Sequence, residues 1–98
     1  MNLKQLTQAA ADYYDVDYDK LVSPCRQAEY TRPRHICQWI AVNIGYKKSE
    51  IARFWKLDRT AVFYGCKMVQ KRLDASKQAT KDLKNFMKHA EQWDVRLL

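Results

Sequence analysis

Four consecutive residues, Asp58, Arg59, Thr60 and Ala61, supply a carboxylate, a guanidinium fork, a hydroxyl and a methyl group. Groups of this kind can read the edges of base pairs. Asp58 is a good helix N-cap, because its carboxylate can accept from the otherwise unpaired amides of a first turn. Arg59, Thr60 and Ala61 are then expected at the N-terminal tip of a helix. Ahead of them the sequence predicts a short helix over about Ser49 to Trp55 and a tight turn at Lys56-Leu57. Two helices joined by so short a connection cross steeply. That is the layout of a helix-turn-helix, here about residues 48–73, and its second helix is the one that can enter a DNA major groove.

The charge distribution favours the same segment. Residues 1–30 carry three basic and five acidic side chains, net −2, whereas residues 31–72 carry ten basic and two acidic ones, net +8. A polyanion is the natural partner of such a field. A basic face that only keeps the chain in solution is the alternative, and its coincidence with a helix-turn-helix tip favours duplex DNA.

Other chemistries find little support. His35 and Cys37 with Cys25 or Cys66 match none of the usual zinc spacings. No Ser-His-Asp or Cys-His arrangement is legible, and Asp15, Asp17 and Asp19 read as a solvated acidic loop rather than a catalytic pair. The sequence holds no Gly-Lys-Ser/Thr phosphate loop, so neither a nucleotide nor another cofactor is expected, and the chain reads as a binding protein rather than an enzyme. Three cysteines without framework spacing imply reduced thiols. With no uninterrupted apolar run of about 18 residues and no signal-peptide pattern, a soluble, cytoplasmic, nucleoid-associated protein without a membrane partner is expected.

The elements that must position the tip are all helical. At 98 residues, 47% of them apolar, with two Gly and two Pro, the chain should form one domain around one core. Leu3, Leu6, Ala10 and Tyr13 define the apolar face of a first helix over Asn2 to Tyr14. Val16 should tuck inward before a single turn at Tyr18 to Leu21, which Ser23-Pro24 ends. After a polar loop, Thr31 is expected to cap a helix with Pro33 in its first turn. That helix runs through Ile44, is apolar nearly all round and so should be the central one; Gly45 ends it. In the next long helix Val62, Cys66, Val69 and Leu73 form the buried stripe, with Thr60, Phe63, Tyr64, Lys67 and Lys71 outward. Gly65 marks a close approach to a neighbouring helix. Asp74-Ala-Ser breaks the pattern, and Ser76 can cap a last helix with Ala79, Leu83, Phe86, Ala90 and Trp93 on its core face and Lys77, Lys81, Lys84 and Lys88 opposite. No strand is predicted, giving an all-α bundle of about five to six helices.

With Arg32-Pro33-Arg34, Glu50-Ile51-Ala52 and Asp58-Arg59-Thr60-Ala61-Val62 on successive helices, the chain resembles the C-terminal DNA-binding domain of the bacterial replication initiator DnaA. Ala11-Asp12-Tyr13-Tyr14, Leu21, Cys66 and Val69 extend the likeness over about Leu6 to Leu83. The resemblance implies an all-helical fold of the Trp-repressor and DnaA C-terminal type. It also implies base reading by Asp58, Arg59, Thr60 and Ala61, a minor-groove arginine at Arg26, and phosphate contacts at Arg34, Lys47, Lys48 and Ser49. Arg32 and Lys67 complete the cationic set expected at DNA. The chain has Arg59 where the family has histidine, Ala61 where it has a second threonine, and Lys56-Leu57 in place of Gly-Gly-Arg. A bidentate arginine in place of histidine favours guanine by about 1–3 kcal/mol.

Because the sequence opens on methionine and lacks the nucleotide switch of such initiators, a stand-alone regulator of transcription or replication, of phage, mobile-element or copied origin, is expected. The alternative is an interaction module of the same fold that docks on a host replication or transcription protein. Phe63, Tyr64 and, if it lies outside the core, Trp55 would serve it.

Overall fold

A computed structural model describes residues 2–92. It comprises α1 (Leu3–Tyr14), α2 (Tyr18–Leu21), α3 (Ala28–Asn43), α4 (Lys48–Trp55), α5 (Arg59–Ala75) and α6 (Lys77–Glu91), with no strand among the described residues. Trp93, expected on the face of the last helix, lies outside them.

Caps written into the sequence start three of the helices. The Asn2 side chain accepts from the Gln5 amide at 2.7 Å and the Gln5 side chain accepts from the Asn2 amide at 3.2 Å, a reciprocal capping box for α1. The Asp58 carboxylate accepts from the Ala61 amide at 2.8 Å, and the Ser76 hydroxyl from the Ala79 amide at 3.2 Å. Ser76 alone separates α5 from α6, so α5 runs through Asp74 and Ala75, past the expected break.

Three helices end in one way, on a residue with positive φ: Asp15 (+54°), Gly45 (+112°) and Lys56 (+55°). After α3, the Tyr46 amide donates to the Ala41 carbonyl and the Gly45 amide to Val42, the paired bonds of a Schellman closure. After α1 the same pair runs from Val16 to Ala11 and from Asp15 to Asp12; after α4 it runs from Leu57 to Ala52 and from Lys56 to Arg53. Val16 is thereby turned onto the core, as expected.

The start of α3 differs from expectation. The helix begins at Ala28, with Gln27 in the cap position, and Thr31 caps nothing. Pro33 therefore lies in the second turn, where its missing amide leaves the Glu29 carbonyl without a helical partner. Glu29 is exposed, so water can satisfy it. The extra turn inserts Tyr30, 7% exposed, into the interior beneath the Lys20 ammonium, 5.7 Å from the ring centroid.

Arg34 also departs from expectation. It is 6% exposed, and its guanidinium donates from Nε to the Leu21 carbonyl (2.9 Å), from Nη1 to Cys25 (2.9 Å) and from Nη2 to Lys20 (3.2 Å). All three nitrogens are engaged inside the protein, so Arg34 is not a phosphate contact. It clamps the end of α2 and the following loop onto α3.

Helix α3 packs against α1, α2, α4 and α5, the central position its all-round apolar character predicts. Leu6, Leu21, Ile40, Ile51, Trp55, Val62 and Phe86 fill the core. Trp55 is 1% exposed and belongs to it, so it offers nothing to a partner. Phe86 of α6 packs against the rings of Tyr13 and Tyr14, 5.4 Å from each, and fastens α6 to α1. At Gly65 the backbone of α5 lies against side chains of α3: a Cβ there would lie 2.6 Å from Gln38 Oε1 and 2.8 Å from His35 Cδ2. Gln38 is fully buried, so it has no room to yield.

Substitutions at three positions test this packing by thermal unfolding. Gly65→Ala lowers the melting temperature, because overpacking of about 1–3 kcal/mol outweighs a helix-propensity gain of about 1 kcal/mol; an equal or higher value contradicts the close approach. Lys56→Gly removes an αL penalty of about 1–2 kcal/mol and raises the melting temperature by a few degrees, the gain trimmed by glycine's freedom in the unfolded chain; a fall would show that the turn is not under strain. Arg34→Ala costs at least about 2 kcal/mol, since charged hydrogen bonds to carbonyls are lost. Arg34→Lys fails to restore it, because one ammonium cannot reach all three acceptors with the guanidinium's planar fork.

Candidate nucleic-acid interface

The Schellman closure at Lys56 and the Asp58 cap together fix where α5 begins. Leu57 is half-buried beneath the turn, while Asp58, Arg59 and Thr60 are exposed and Ala61 is half-buried behind them. One Asp58 oxygen is used by the cap; the other remains at the tip. Val62, Gly65 and Val69 are buried, so the helix is held from its second turn onward while its first turn projects.

Beside this tip lies the N-terminus of α4. Lys47, Lys48 and Ser49 are all exposed there, and the Glu50 carboxylate accepts from the Lys47 amide at 3.2 Å. The Lys48 ammonium sits 5.1 Å from the centroid of the Phe63 ring, a cation–π contact that joins the start of α4 to the outward face of α5. Lysines and a hydroxyl at a helix N-terminus, where the helix dipole is also positive, are suited to phosphate oxygens. Lys67 is exposed two turns along α5 from the tip.

Arg26 is exposed on the loop between α2 and α3. The loop is held from below: the Cys25 carbonyl accepts from Arg34, and the Cys25 amide donates to the Ser23 hydroxyl at 3.3 Å. Arg34 thus contributes by holding the loop that presents Arg26. Its burial draws its pKa below the ordinary guanidinium value, yet a group that starts so basic stays charged.

Arg32 goes elsewhere. It is exposed but lines a cleft of about 490 Å³ with Tyr14, Val16, Ile36, Arg72 and Leu83. The α5 residues at that cleft, Val69, Arg72 and Leu73, lie at least ten positions beyond Arg59, about 15 Å along the helix. The structure therefore does not bring Arg32 to the tip. Apart from the buried Arg34, the other expected residues fall into three groups: the α5 tip with Lys67, the α4 N-terminus, and the Arg26 loop.

Among the described residues these cations make no ion pair. Among the described residues, no carboxylate lies within ion-pair distance of Arg26, Lys47, Lys48, Arg59 or Lys67; the ion pair that is present joins His89 to Asp12 at 2.8 Å, on α6 and α1. Burial disfavours the thiolate at two of the three cysteines. Cys37 is fully buried, which pushes its pKa up to about 12, and partial burial also raises Cys66. Among the described residues, no cluster of three His, Cys, Asp or Glu side chains could hold a metal ion. No helix there is long and apolar enough to cross a membrane.

Two features were missed in the sequence. The inward role of Arg34 was detectable, since Tyr30, Arg34, Cys37 and Ala41 follow one another at spacings of four, three and four along the buried line of α3. The Lys48–Phe63 contact was not, because it joins residues 15 positions apart on different helices.

Comparison with known proteins agrees with this architecture. The family model for the bacterial dnaA protein helix-turn-helix matches residues 3–69, from the start of α1 to the buried Val69 of α5. The chromosomal replication initiator protein DnaA of Buchnera aphidicola subsp. Baizongia pistaciae (strain Bp) is 28% identical over 90 residues. That alignment covers 90% of this chain and 20% of the relative, so the chain spans about a fifth of the protein it matches. By the breadth of the family match and by the six helices of its described residues, the chain belongs to the bacterial DnaA helix-turn-helix family.

Proposed function

We propose that this chain is a sequence-specific duplex-DNA-binding protein that acts as a regulator of replication or transcription. The observation that carries the reading is the α5 tip. Arg59 and Thr60 are exposed, Arg59 makes no ion pair among the described residues, and the exposed cations of the α4 N-terminus flank them. In the proposed complex this tip enters the major groove. Arg59 forks onto a guanine, Thr60 and the remaining Asp58 oxygen meet neighbouring base edges, and Ala61 offers its methyl group. Lys47, Lys48, Ser49 and Lys67 contact phosphates and set the register. Arg26 reaches the adjacent minor groove, as the corresponding position does in the family. Association with the nucleoid follows from such binding.

A protein partner is the second reading, favoured by the exposed rings of Phe63 and Tyr64. A host replication or transcription protein that co-purifies after nuclease treatment supports it. Loss of every partner on nuclease treatment counts against it.

Fluorescence anisotropy on duplexes selected from a random pool tests the DNA reading. About six phosphate contacts imply an affinity falling roughly three orders of magnitude between 50 and 200 mM salt. Arg59→Ala reduces discrimination at one base pair by about 1–3 kcal/mol. Lys48→Ala weakens every duplex alike and lowers the salt slope by about one. If both variants bind as the parent does, the proposed docking is wrong.

A further inference from the structure

Among the described residues, large apolar side chains are exposed in one place, at Phe63 (55%) and Tyr64 (57%). The other large hydrophobic residues are buried or half-buried. These two lie inside the proposed reading face. Thr60, Phe63, Tyr64 and Lys67 are all exposed and follow the spacing three, one, three, which keeps them on one side of α5. The same spacing links base-reading positions on recognition helices of the homeodomain class.

The two rings have different surroundings. Tyr64 stands edge-on to His35, with 6.3 Å between ring centroids, and its hydroxyl can donate to a phosphate. Phe63 has no donor and can do nothing for a phosphate. Its ring lies 5.1 Å from the Lys48 ammonium, which ties it to the cationic start of α4. A hydrocarbon ring on the second turn of a helix in the major groove has one apolar group to meet, the C5-methyl of thymine.

We infer that Phe63 is a specificity-determining residue that packs its ring against the C5-methyl group of a thymine. The inference rests on the DNA reading above and deepens it. Phe63 is one turn from Arg59, about 6 Å along the axis, so with a rise of about 3.4 Å per base pair the thymine lies within about two base pairs of the position read by Arg59. Guanine at one position and thymine close by give the tip two independent kinds of discrimination, one by hydrogen bonding and one by apolar contact.

Deoxyuridine differs from thymidine only by the missing methyl, which makes it the direct probe. In a duplex selected by the wild-type chain, each thymine is replaced in turn by deoxyuridine, and binding of wild type and Phe63→Ala is measured at fixed salt. One replacement, within about two base pairs of the Arg59-dependent position, weakens the wild type about fourfold, the loss expected for one buried methyl group. The same replacement leaves Phe63→Ala unaffected. Because Phe63 is more than half exposed, the variant retains the wild-type circular dichroism and melting behaviour. Selective wild-type binding that is indifferent to every replacement, or equal losses in both proteins, overturns the inference and leaves the DNA reading standing. So does a Phe63→Ala variant that keeps its methyl sensitivity but loses a nuclease-resistant protein partner. A wild type that binds no selected duplex overturns both.

Discussion

The close approach of α3 and α5 at Gly65 is the constraint on which the rest of the structure depends. A helix tip can be aimed only if the remainder of the helix is held, and an exposed first turn cannot hold itself. Here Val62, Gly65 and Val69 are buried on one side of α5, and the absent side chain at 65 lets the helix settle against Gln38 and His35 of α3. Helix α3 is in turn packed on α1, α2 and α4. The direction of the tip is therefore set by the core as a whole, and the tight turn after α4 sets where the tip begins.

The same economy governs the two arginines around the α2–α3 loop. A guanidinium is costly to bury unless its donors are matched, and Arg34 is matched by three backbone carbonyls at the end of α2 and in the following loop. Its donors are turned to internal acceptors and away from the surface. Arg26, eight residues earlier, is left exposed on the loop that Arg34 fixes. Two residues of identical chemistry thus serve opposite ends, one ordering the surface and one presented from it.

Much of the fold was legible because its signals are local. The Asp58 and Ser76 caps, the Gly45 stop, the Val16 tuck and the single turn at Tyr18 each depend on a few neighbouring residues, and each is found in the structure. Gly65 was legible for a different reason: a glycine inside a helix is unfavourable without a packing purpose. The start of α3 was misplaced because the preference of Pro33 for a first turn yielded to the burial of Tyr30, a tertiary gain that local propensity cannot reveal. At the candidate site, the tip residues were legible as a run. The assignment of Arg34 to phosphate came with the family resemblance and runs against its helical phase, while the place of Arg32, beside the distant end of α5, depends on helix packing that no local signal reveals.

In the proposed complex the α5 tip, the α4 N-terminus and the Arg26 loop all meet DNA. Amide chemical-shift mapping tests it most directly, with the isotopically labelled chain titrated by a selected duplex. The largest shifts are expected at Arg26, at residues 47–49 and at residues 58–64, with small ones along α6 and around the cleft lined by Arg32 and Arg72. The largest shifts clustering at that cleft or on the lysines of α6, with the α5 tip unmoved, would contradict it.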